Sequence, residues 1–459
     1  MATTASTPGP TGLALVRTLA AYAADPFSTL TQLARDFGDV VRFIQGPVNA
    51  FLINRPEYIE RVLVTDDWNF APMRPFTVNR AMRQGLFTSQ GHFHAHQRHL
   101  LAPAYGPDHV DRFGETITSV GARYSESWPD GGVVDIEREM VRLSVFVAAD
   151  LLFGADARLH AQELVAPALP VNVYLGTRST NPLSAVREVL PALPSNREFW
   201  RAMRRLDAAL LALIRERRMQ PAANGDLLST LLQVRDPRDG SGLSDAQVRD
   251  EVLSMYTTGN AVLASALLWT WYLLAEHGDV EAKLQAEVEA VLGGRAPSFG
   301  DLPGLSYTAM VVAESMRLFP PAWTIGRRTI QDYAIDGITL PSGSLVVLSP
   351  FVTQRDARFH PAPLVVDPQR WTPEARASRP PFSYFPFSGG PRSCLGEHLA
   401  LTELVLLVAT LAQRGRLHLV PDQPLGFRPL IALRPKGGMR MRWQRHRSAV
   451  SPVTPPADR

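Results

Sequence analysis

The chain has 459 residues, of which 45% are hydrophobic and 20% charged, and a formal net charge of +3. These values are typical of a globular protein with a large core, and they argue against a disordered chain. No arginine-rich run with interleaved aromatic residues occurs, so we expect no nucleic-acid partner. The single cysteine, Cys394, excludes an internal disulfide and favours a reducing, cytoplasmic location. The apolar stretch 13–24 is too short to span a bilayer, so we expect no membrane anchor.

Hydrophobic periodicity predicts a mainly α-helical chain with small β-sheets, an α+β fold. The elements predicted in chain order are a helix at 25–37, strands at 40–43 and 50–53, a short helix at 56–64, helical patterns at 115–160 and 200–218, a core helix at 250–276, a charged helix at 279–292, strands at 333–340 and 345–348, and a hairpin at 417–433. We predict one domain over 1–447 and a disordered, proline-rich tail over 448–459.

The segment Tyr-Phe-Pro-Phe-Ser-Gly-Gly-Pro-Arg-Ser-Cys-Leu-Gly, residues 384–396, contains Cys394 and leads into an apolar helical pattern. Glycines let backbone amides approach an atom closely, and a helix N-terminus favours negative charge. Both effects lower the pKa of a cysteine, and the resulting thiolate can ligate iron or act as a nucleophile. The alternative is a small buried residue without chemistry.

The order Phe387-x-x-Gly390-x-Arg392-x-Cys394-x-Gly396 resembles the haem-binding loop of the cytochrome P-450 family, position for position. The resemblance implies the triangular-prism fold of that family and haem b as cofactor. It also implies that Cys394 is the thiolate ligand of the iron, that Phe387 lies against the ligand loop and the haem, and that Arg392 faces a haem propionate. A cysteine thiolate pushes electron density onto iron and favours cleavage of the O–O bond.

Two further places resemble the propionate-binding parts of the family. On a helix, His94 and Arg98 lie four residues apart on one face and can reach one anionic group together, although a solvated face is the alternative for His94. By resemblance, Arg327 or its neighbour Arg328 reaches a propionate from an extended segment, and the spacing favours Arg327.

Glu314 and Arg317 lie three apart on a predicted helix and can form an ion pair. With the following Leu-Phe-Pro-Pro they resemble the Glu-x-x-Arg helix of the family, whose third member is expected at Arg370. The resemblance implies a structural clamp on the ligand loop. The alternative is a solvated surface pair.

The core helix departs from the family pattern. The alignment gives Gly259-Asn260-Ala261-Val262, so that Ala261 and Val262 stand where the family has an acid and a threonine that deliver protons to bound oxygen. Proton delivery needs a titratable or hydroxyl group within hydrogen-bond reach, and neither residue has one. Thr258 and Ser265 share the face of Val262, but they lie about 5 Å away along the helix axis.

Three interpretations follow from this departure: a substrate hydroxyl or ordered water stands in, peroxide is the oxidant, or the reaction is a coupling, rearrangement or dehydration. The first is favoured by analogy with the family. The resemblance therefore implies a monomeric haem-thiolate monooxygenase that inserts one oxygen atom from O2 into an apolar small molecule of secondary metabolism. No fused reductase is visible, so the electrons are expected to come from a separate ferredoxin or flavodoxin. The other classes are a haem-binding carrier or sensor and a cysteine hydrolase, and the hydrolase lacks a histidine base placed by motif.

Overall fold

The computed structural model describes residues 7–44, 48–73, 76–106, 110–154, 156, 161–168, 170–171, 174, 193–219, 225–423 and 425–446. Its α-helices are α1 (Gly12–Ala24), α2 (Pro26–Phe37), α3 (Pro56–Glu60), α4 (Phe76–Met82), α5 (Gly91–Leu101), α6 (Gly114–Glu126), α7 (Ile136–Phe153), α8 (Ala161–Leu164), α9 (Pro194–Met219), α10 (Leu227–Gln233), α11 (Asp245–Glu276), α12 (Gly278–Leu292), α13 (Ser306–Leu318), α14 (Pro350–Thr353), α15 (Pro373–Ala377) and α16 (Glu397–Arg414).

The strands form small sheets. They are β1 (Val40–Ile44), β2 (Ala50–Ile53), β3 (Phe70–Pro72), β4 (Val133–Asp135), β5 (Ile325–Thr329), β6 (Tyr333–Ile335), β7 (Ile338–Leu340), β8 (Leu345–Leu348), β9 (Gly415–Leu419), β10 (Phe427–Pro429), β11 (Leu433–Pro435) and β12 (Arg440–Arg445). The largest described sheet has the order β1-β2-β8-β5-β3, in which β2 and β8 are parallel. The others are β4-β12-β9, β10-β11 and β6-β7. A mainly helical fold with small sheets is as predicted.

Helix α11 is the core of the fold. Ser244 and Gln247 form a capping box at its start, which satisfies amides that have no partner inside the helix. Apolar side chains occur all round it, and it packs against α7, α9, α13 and α16. By length and composition it could cross a membrane, but 72% of its most apolar window is buried inside the protein. It is therefore a buried core helix.

The N-terminal elements follow the sequence prediction. Asp25 caps α2 by accepting a 3.0 Å hydrogen bond from the N–H of Phe27, and the helix ends at Gly38, where φ is +92°. The hairpin β1-β2 then joins β8, which brings the first 60 residues against the C-terminal half.

Three predicted elements are wrong in extent. The strand pattern 333–340 is the antiparallel hairpin β6-β7, because the chain turns at Asp336 and Gly337, both with positive φ. The helical pattern 115–160 is two helices, α6 and α7, because the segment between them turns and adds β4 to the edge of β12. The expected hairpin 417–433 is not one unit either. β9 pairs with β12, where Leu417 lies opposite Trp443. The hairpin in this region is formed by β10 and β11 instead. The proline- and leucine-rich segment 164–198, which the family resemblance predicts to form a lid over the substrate pocket, lies mostly outside the described residues. The tail 448–459 lies outside them too, and the division into one domain and a tail stays a prediction.

Candidate active site

The cysteine loop, residues 382–396, takes a backbone path that only glycine allows at one point. Gly390 has a φ of +65°, and a Cβ atom there would lie 2.0 Å from the carbonyl oxygen of Leu63. The N–H of Cys394 donates to the carbonyl oxygen of Phe387 at 2.9 Å, which closes the loop on itself. The motif spacing thus follows from a loop held against the π-helical turn that contains Leu63.

The thiol of Cys394 is exposed to solvent, although protein atoms surround it closely enough that burial raises its pKa. The N–H of Gly396, the N-cap residue of α16, and the guanidinium of Arg98 lower the pKa, while Glu397 raises it. We predicted a lowered pKa from the glycines and the helix N-terminus. That prediction is wrong for the polypeptide alone, because burial outweighs both effects. A metal ion bound to the sulfur would supply the missing positive charge, since a coordinating thiol is deprotonated.

Arg98 joins α5 to the cysteine loop. Its Nη1 donates to the carbonyl oxygen of Ser393 at 2.7 Å, and its Nη2 to the Ser393 hydroxyl at 2.8 Å. Burial lowers its pKa, and Cys394 opposes this effect. His94, one turn earlier on α5, is buried. The structure therefore places both residues of this predicted pair on one helix, with Arg98 directly on the loop.

Arg327 and Arg392 are neighbouring cations inside the protein. Arg327 is 4% exposed, and its Nη1 donates at 3.2 Å to the carbonyl oxygen of Gly326. Burial and the repulsion of Arg392 lower the pKa of Arg327 to about 10. Arg392 donates to the carbonyl oxygen of Ser89 at 3.0 Å, and burial lowers its pKa. Arg328, the alternative to Arg327, is exposed on the other face of β5.

Within the described ranges, no carboxylate forms an ion pair with Arg98, Arg327 or Arg392. Asp67 raises the pKa of Arg327 and Arg392 only from a distance. Arg327 is buried and the other two are half-buried, and Arg392 repels Arg327 and is itself repelled by Arg98. Cations removed from water without counter-charges are costly. The cluster therefore suits an anionic ligand, and the two propionates of a haem are such anions.

The predicted structural clamp is fully buried. Glu314 and Arg317 are both 0% exposed and form a two-bond ion pair, with Nε–Oε2 and Nη2–Oε1 distances of 2.8 Å each. Arg370, the expected third member, approaches Glu314 less closely, with an Nε–Oε1 distance of 3.6 Å. The indole Nε1 of Trp371 donates to Glu314 at 2.9 Å. The surface-pair alternative is thus wrong for these residues.

Two members of this clamp were missed by the sequence reading. Trp371 packs at a tilt against Tyr384 of the cysteine loop, with ring centres 4.3 Å apart and the ring planes at 58°. Gln354 accepts from the N–H of Phe385 at 3.1 Å and donates to the carbonyl oxygens at the end of α13. Trp371 and Tyr384 could have been predicted from the sequence, because Trp371 follows Arg370 and Tyr384 begins the cysteine segment. No sequence pattern indicates a role for Gln354.

Helix α11 is buried along its central part except at one place. Between Val248 and Trp271, the residues that are not buried are Met255, Thr258, Gly259, Ala261 and Val262. We call these five residues the α11 window. Gly259 is exposed, and a Cβ atom there would meet nothing within 4 Å. At this window the surface of the core helix is accessible, whereas the rest of its central part is covered by other elements.

Only three of the four residues 259–262, which align with the proton-delivery segment of the family, lie at the window. Gly259, Ala261 and Val262 belong to it, whereas Asn260 is 3% exposed and has neither amide atom bonded to a described residue. Of the two hydroxyls weighed as substitutes, that of Ser265 is buried and donates to the carbonyl oxygen of Leu433 at 2.6 Å. The hydroxyl of Thr258 remains at the window.

The loop that precedes α5 is fastened to α11 by carboxylates. The N–H of Gln84 donates to Asp250 at 3.1 Å, and that of Leu86 donates to Glu251 at 3.0 Å. A Cβ atom at Gly85 would lie 2.4 Å from the Ser254 hydroxyl, so the loop lies directly on the helix. Burial raises the pKa of Glu251 to about 7. Residues 84–86 of this loop are therefore fixed against α11, next to the window.

These residues fit a haem. The accessible cysteine matches the iron. One buried and two half-buried arginines, without carboxylate partners among the described residues, match the propionates, and the accessible stretch of the core helix matches the substrate side of an iron porphyrin. The fold and this set of residues define a haem-dependent oxidoreductase.

The chain belongs to the cytochrome P450 family, whose profile matches residues 7–439. It is 34% identical over 430 residues to cyclooctatin synthase of Streptomyces melanosporofaciens, which covers 93% of both chains. Cyclooctat-9-en-7-ol 5-monooxygenase of the same organism is 35% identical over 396 residues, 84% of each chain. Pentalenene oxygenase of Streptomyces avermitilis is 31% identical over 388 residues, 84% of this chain and 85% of its own. The chain is accordingly a monooxygenase of bacterial type.

Solved structures show the same fold. The retinoic acid-bound cyanobacterial CYP120A1 superposes with a TM-score of 0.84 at 26% identity, covering 96% of this chain and 99% of that one. The haem domain of cytochrome P450DA gives a TM-score of 0.85 at 24% identity and covers 96% and 97%.

Proposed function

We propose that Cys394 would hold the iron of haem b as its thiolate ligand. Its sulfur is accessible, lies at the N-terminus of α16 and is held by a loop that closes through the Phe387 carbonyl oxygen. The half-buried ring of Phe387 packs against the main hydrophobic core. Glycine at 390 lets the loop lie directly on the backbone of Leu63, while Gly396 is the N-cap residue of α16.

His94, Arg98, Arg327 and Arg392 bind the two propionates. The observation that supports this most is the absence of carboxylate partners for the three arginines among the described residues. Two carboxylates brought by the cofactor would remove their repulsion and satisfy their unused N–H groups. When bound, the haem supplies the activation of dioxygen, which no side chain of this chain provides.

The substrate is an apolar molecule of terpene type, and the reaction inserts one oxygen atom of O2 into a C–H bond. The second oxygen atom leaves as water, which requires two electrons and two protons. Support comes from the relatives, whose names include a cyclooctat-9-en-7-ol monooxygenase and a pentalenene oxygenase. The side chains of Met255 and Val262 at the α11 window are apolar, as such a ligand requires.

The electrons come from a separate ferredoxin or flavodoxin, and the protein acts as a monomer in the cytoplasm. The bacterial relatives support a separate donor, and the reduced single cysteine supports the compartment. His99 and Arg112, two exposed basic residues, are candidates for the docking face, while His109 lies outside the described residues.

Protons reach the site without an acid–threonine pair. Val262 lies at the α11 window and cannot hold a proton, so a substrate hydroxyl or an ordered water takes that place. A second candidate, peroxide-driven oxygenation, rests on the same residues Ala261 and Val262, because peroxide brings its own protons.

Turnover assays separate the two candidates. The purified protein is incubated with cyclic terpenes and either O2, NADPH and a surrogate ferredoxin pair, or hydrogen peroxide alone. We expect oxygenated product with O2 and reductant, and Val262→Thr is expected to raise the fraction of NADPH converted to product. Product with peroxide only would select the second candidate. Unchanged coupling in Val262→Thr would count against the stand-in hydroxyl.

A further inference from the structure

The hydroxyl groups of α11 differ in what they can reach. Thr257 and Thr270 are buried, and each donates to the carbonyl oxygen four residues earlier, at 2.6 and 2.8 Å. The hydroxyl of Ser265 donates to the carbonyl oxygen of Leu433, and the hydroxyl of Ser254 is covered by the loop at Gly85. Thr258 is the one hydroxyl-bearing residue of the α11 window. A ligand at the α11 window can therefore form a hydrogen bond with a side-chain hydroxyl of this helix only at Thr258.

The hydrogen bond that Thr258 already makes fixes what it can still bind. Its Oγ1 donates to the carbonyl oxygen of Ser254 at 2.6 Å. A threonine hydroxyl has one hydrogen to donate and two lone pairs that accept. With the hydrogen directed into the helix, the oxygen of this partly exposed side chain can act toward a ligand only as an acceptor. It is complementary to an O–H donor, whereas a ketone oxygen would bind only if the hydroxyl left Ser254.

Thr258 lies one turn before Val262, about 6 Å along the axis. A hydroxyl held by Thr258 would have a free lone pair and could itself bind a water molecule. Val262 itself can bind neither a hydroxyl group nor a water molecule. Both positions are residues of the α11 window, so one ligand can contact both.

We propose that Thr258 is the specificity-determining residue of this enzyme and that it accepts a hydrogen bond from the hydroxyl group of an apolar alcohol substrate. The inference rests on the proposed function and narrows its substrate class to cyclic terpene alcohols. It also places the reaction after one that installs a hydroxyl group, either a cyclisation that captures water or an earlier hydroxylation.

Ligand binding tests this without turnover. The haem-loaded protein is titrated with cyclic terpene alcohols, each matched with the ketone of the same skeleton, and binding is followed by the Soret band and by calorimetry. The wild type is expected to bind its alcohol ligands about five- to tenfold more tightly than the matched ketones, as one hydrogen bond implies. Thr258→Val removes the hydroxyl at nearly constant shape, so it should lose that preference and keep its affinity for the ketones. Thr258→Ser should retain the preference.

Thr270→Val is the matched control, because it removes the same kind of side-chain bond from the buried part of the same helix. It should leave the alcohol preference unchanged. An equal loss in Thr258→Val and Thr270→Val would overturn the proposal, as would an unaltered preference in Thr258→Val. Failure of every alcohol to bind a protein with an intact thiolate spectrum would also overturn it, while leaving the haem assignment standing. A protein without that spectrum would instead contradict the proposed function.

Discussion

The N–H of Phe385, at the start of the cysteine loop, donates a 3.1 Å hydrogen bond to the side-chain Oε1 of Gln354. The Nε2 of Gln354 donates at 3.0 Å to each of the carbonyl oxygens of Met316 and Arg317, at the C-terminal end of α13. Gln354 is 0% exposed. One buried amide thus connects the helix of the Glu314–Arg317 pair to the loop that carries Cys394.

Replacing Gln354 with leucine should destabilise the protein and weaken its hold on haem. Three buried backbone groups would lose their partner, at about 1–3 kcal/mol each. The loop would also lose its attachment to α13. We expect a lower Tm and faster transfer of haem to an apoglobin acceptor.

Gln423→Leu is a matched control. Gln423 makes the same three kinds of bond, to Val420 and Arg440, at the partly exposed turn before β10. It should lower Tm only modestly and leave the rate of haem transfer unchanged. Equal haem loss in both variants would show that Gln354 has no particular connection to the loop.

Arg327→Leu should have opposite effects on the two forms of the protein. Without haem, the variant should be more stable than the wild type, because a buried cation that is repelled by Arg392 has been removed. With haem, it should release the cofactor faster, because a propionate contact is lost. Denaturation of the apo form and haem transfer from the holo form measure the two effects. Arg328→Leu, the exposed neighbour, should change neither, and haem retention equal to wild type in Arg327→Leu would contradict the propionate role.

Glu314→Ala should be among the most damaging single substitutions. Arg317 would be left as a buried, uncompensated charge, which costs about 3–5 kcal/mol. We expect little soluble, haem-loaded protein on expression. Arg370→Ala should be milder, because its Nε lies 3.6 Å from the Glu314 carboxylate.

The exposed pair of Arg55 and Glu57, 3.0 Å apart, provides the comparison. Glu57→Ala should cost less than about 1 kcal/mol, as surface pairs do. A fully haem-loaded Glu314→Ala protein with wild-type Tm would refute the clamp.

Glu403 should make the stability of the protein depend on pH. Burial raises the pKa of this α16 carboxyl from 4.5 to about 8, so the folded state keeps a proton that the unfolded state releases. This contribution to stability is complete below pH 4.5 and is lost as the pH rises through about 8. Glu403→Gln should therefore match the wild type near pH 5 and exceed its free energy of unfolding near pH 9, by denaturant titration. Glu374→Gln, at an exposed position, should run parallel to the wild type, and a parallel Glu403→Gln curve would show that the carboxyl is not buried in its neutral form.

Sequence pattern predicted the structure correctly where all the interacting residues lie within one short stretch of the chain. Gly390 can be read from the motif because no other residue fits its distance from Leu63. The pair Glu314 and Arg317 can be read because both lie on one helix. Helix α11 was evident from apolar residues all round, which only a core position allows.

Sequence pattern failed where the partner is distant in the chain. Gln354 bonds to Phe385 and Arg317, and no local periodicity records such contacts. The strand at Leu417 pairs with Trp443 instead of turning back on its neighbour, because tertiary pairing decides strand order. Spacing also could not separate Thr258 from Ser265, since both share a helix face with Val262 and only burial distinguishes them.

The most direct test of the central claim is the absorption spectrum of the reduced carbon monoxide complex of wild type, Cys394→Ser and Cys394→His. We predict that the wild type has the red-shifted Soret band of a thiolate ligand and that Cys394→Ser loses it. Cys394→His should show the band of an imidazole ligand, which proves that the haem remains in place. The same red-shifted band in wild type and Cys394→Ser would contradict the account, because the sulfur of Cys394 could not then be the ligand.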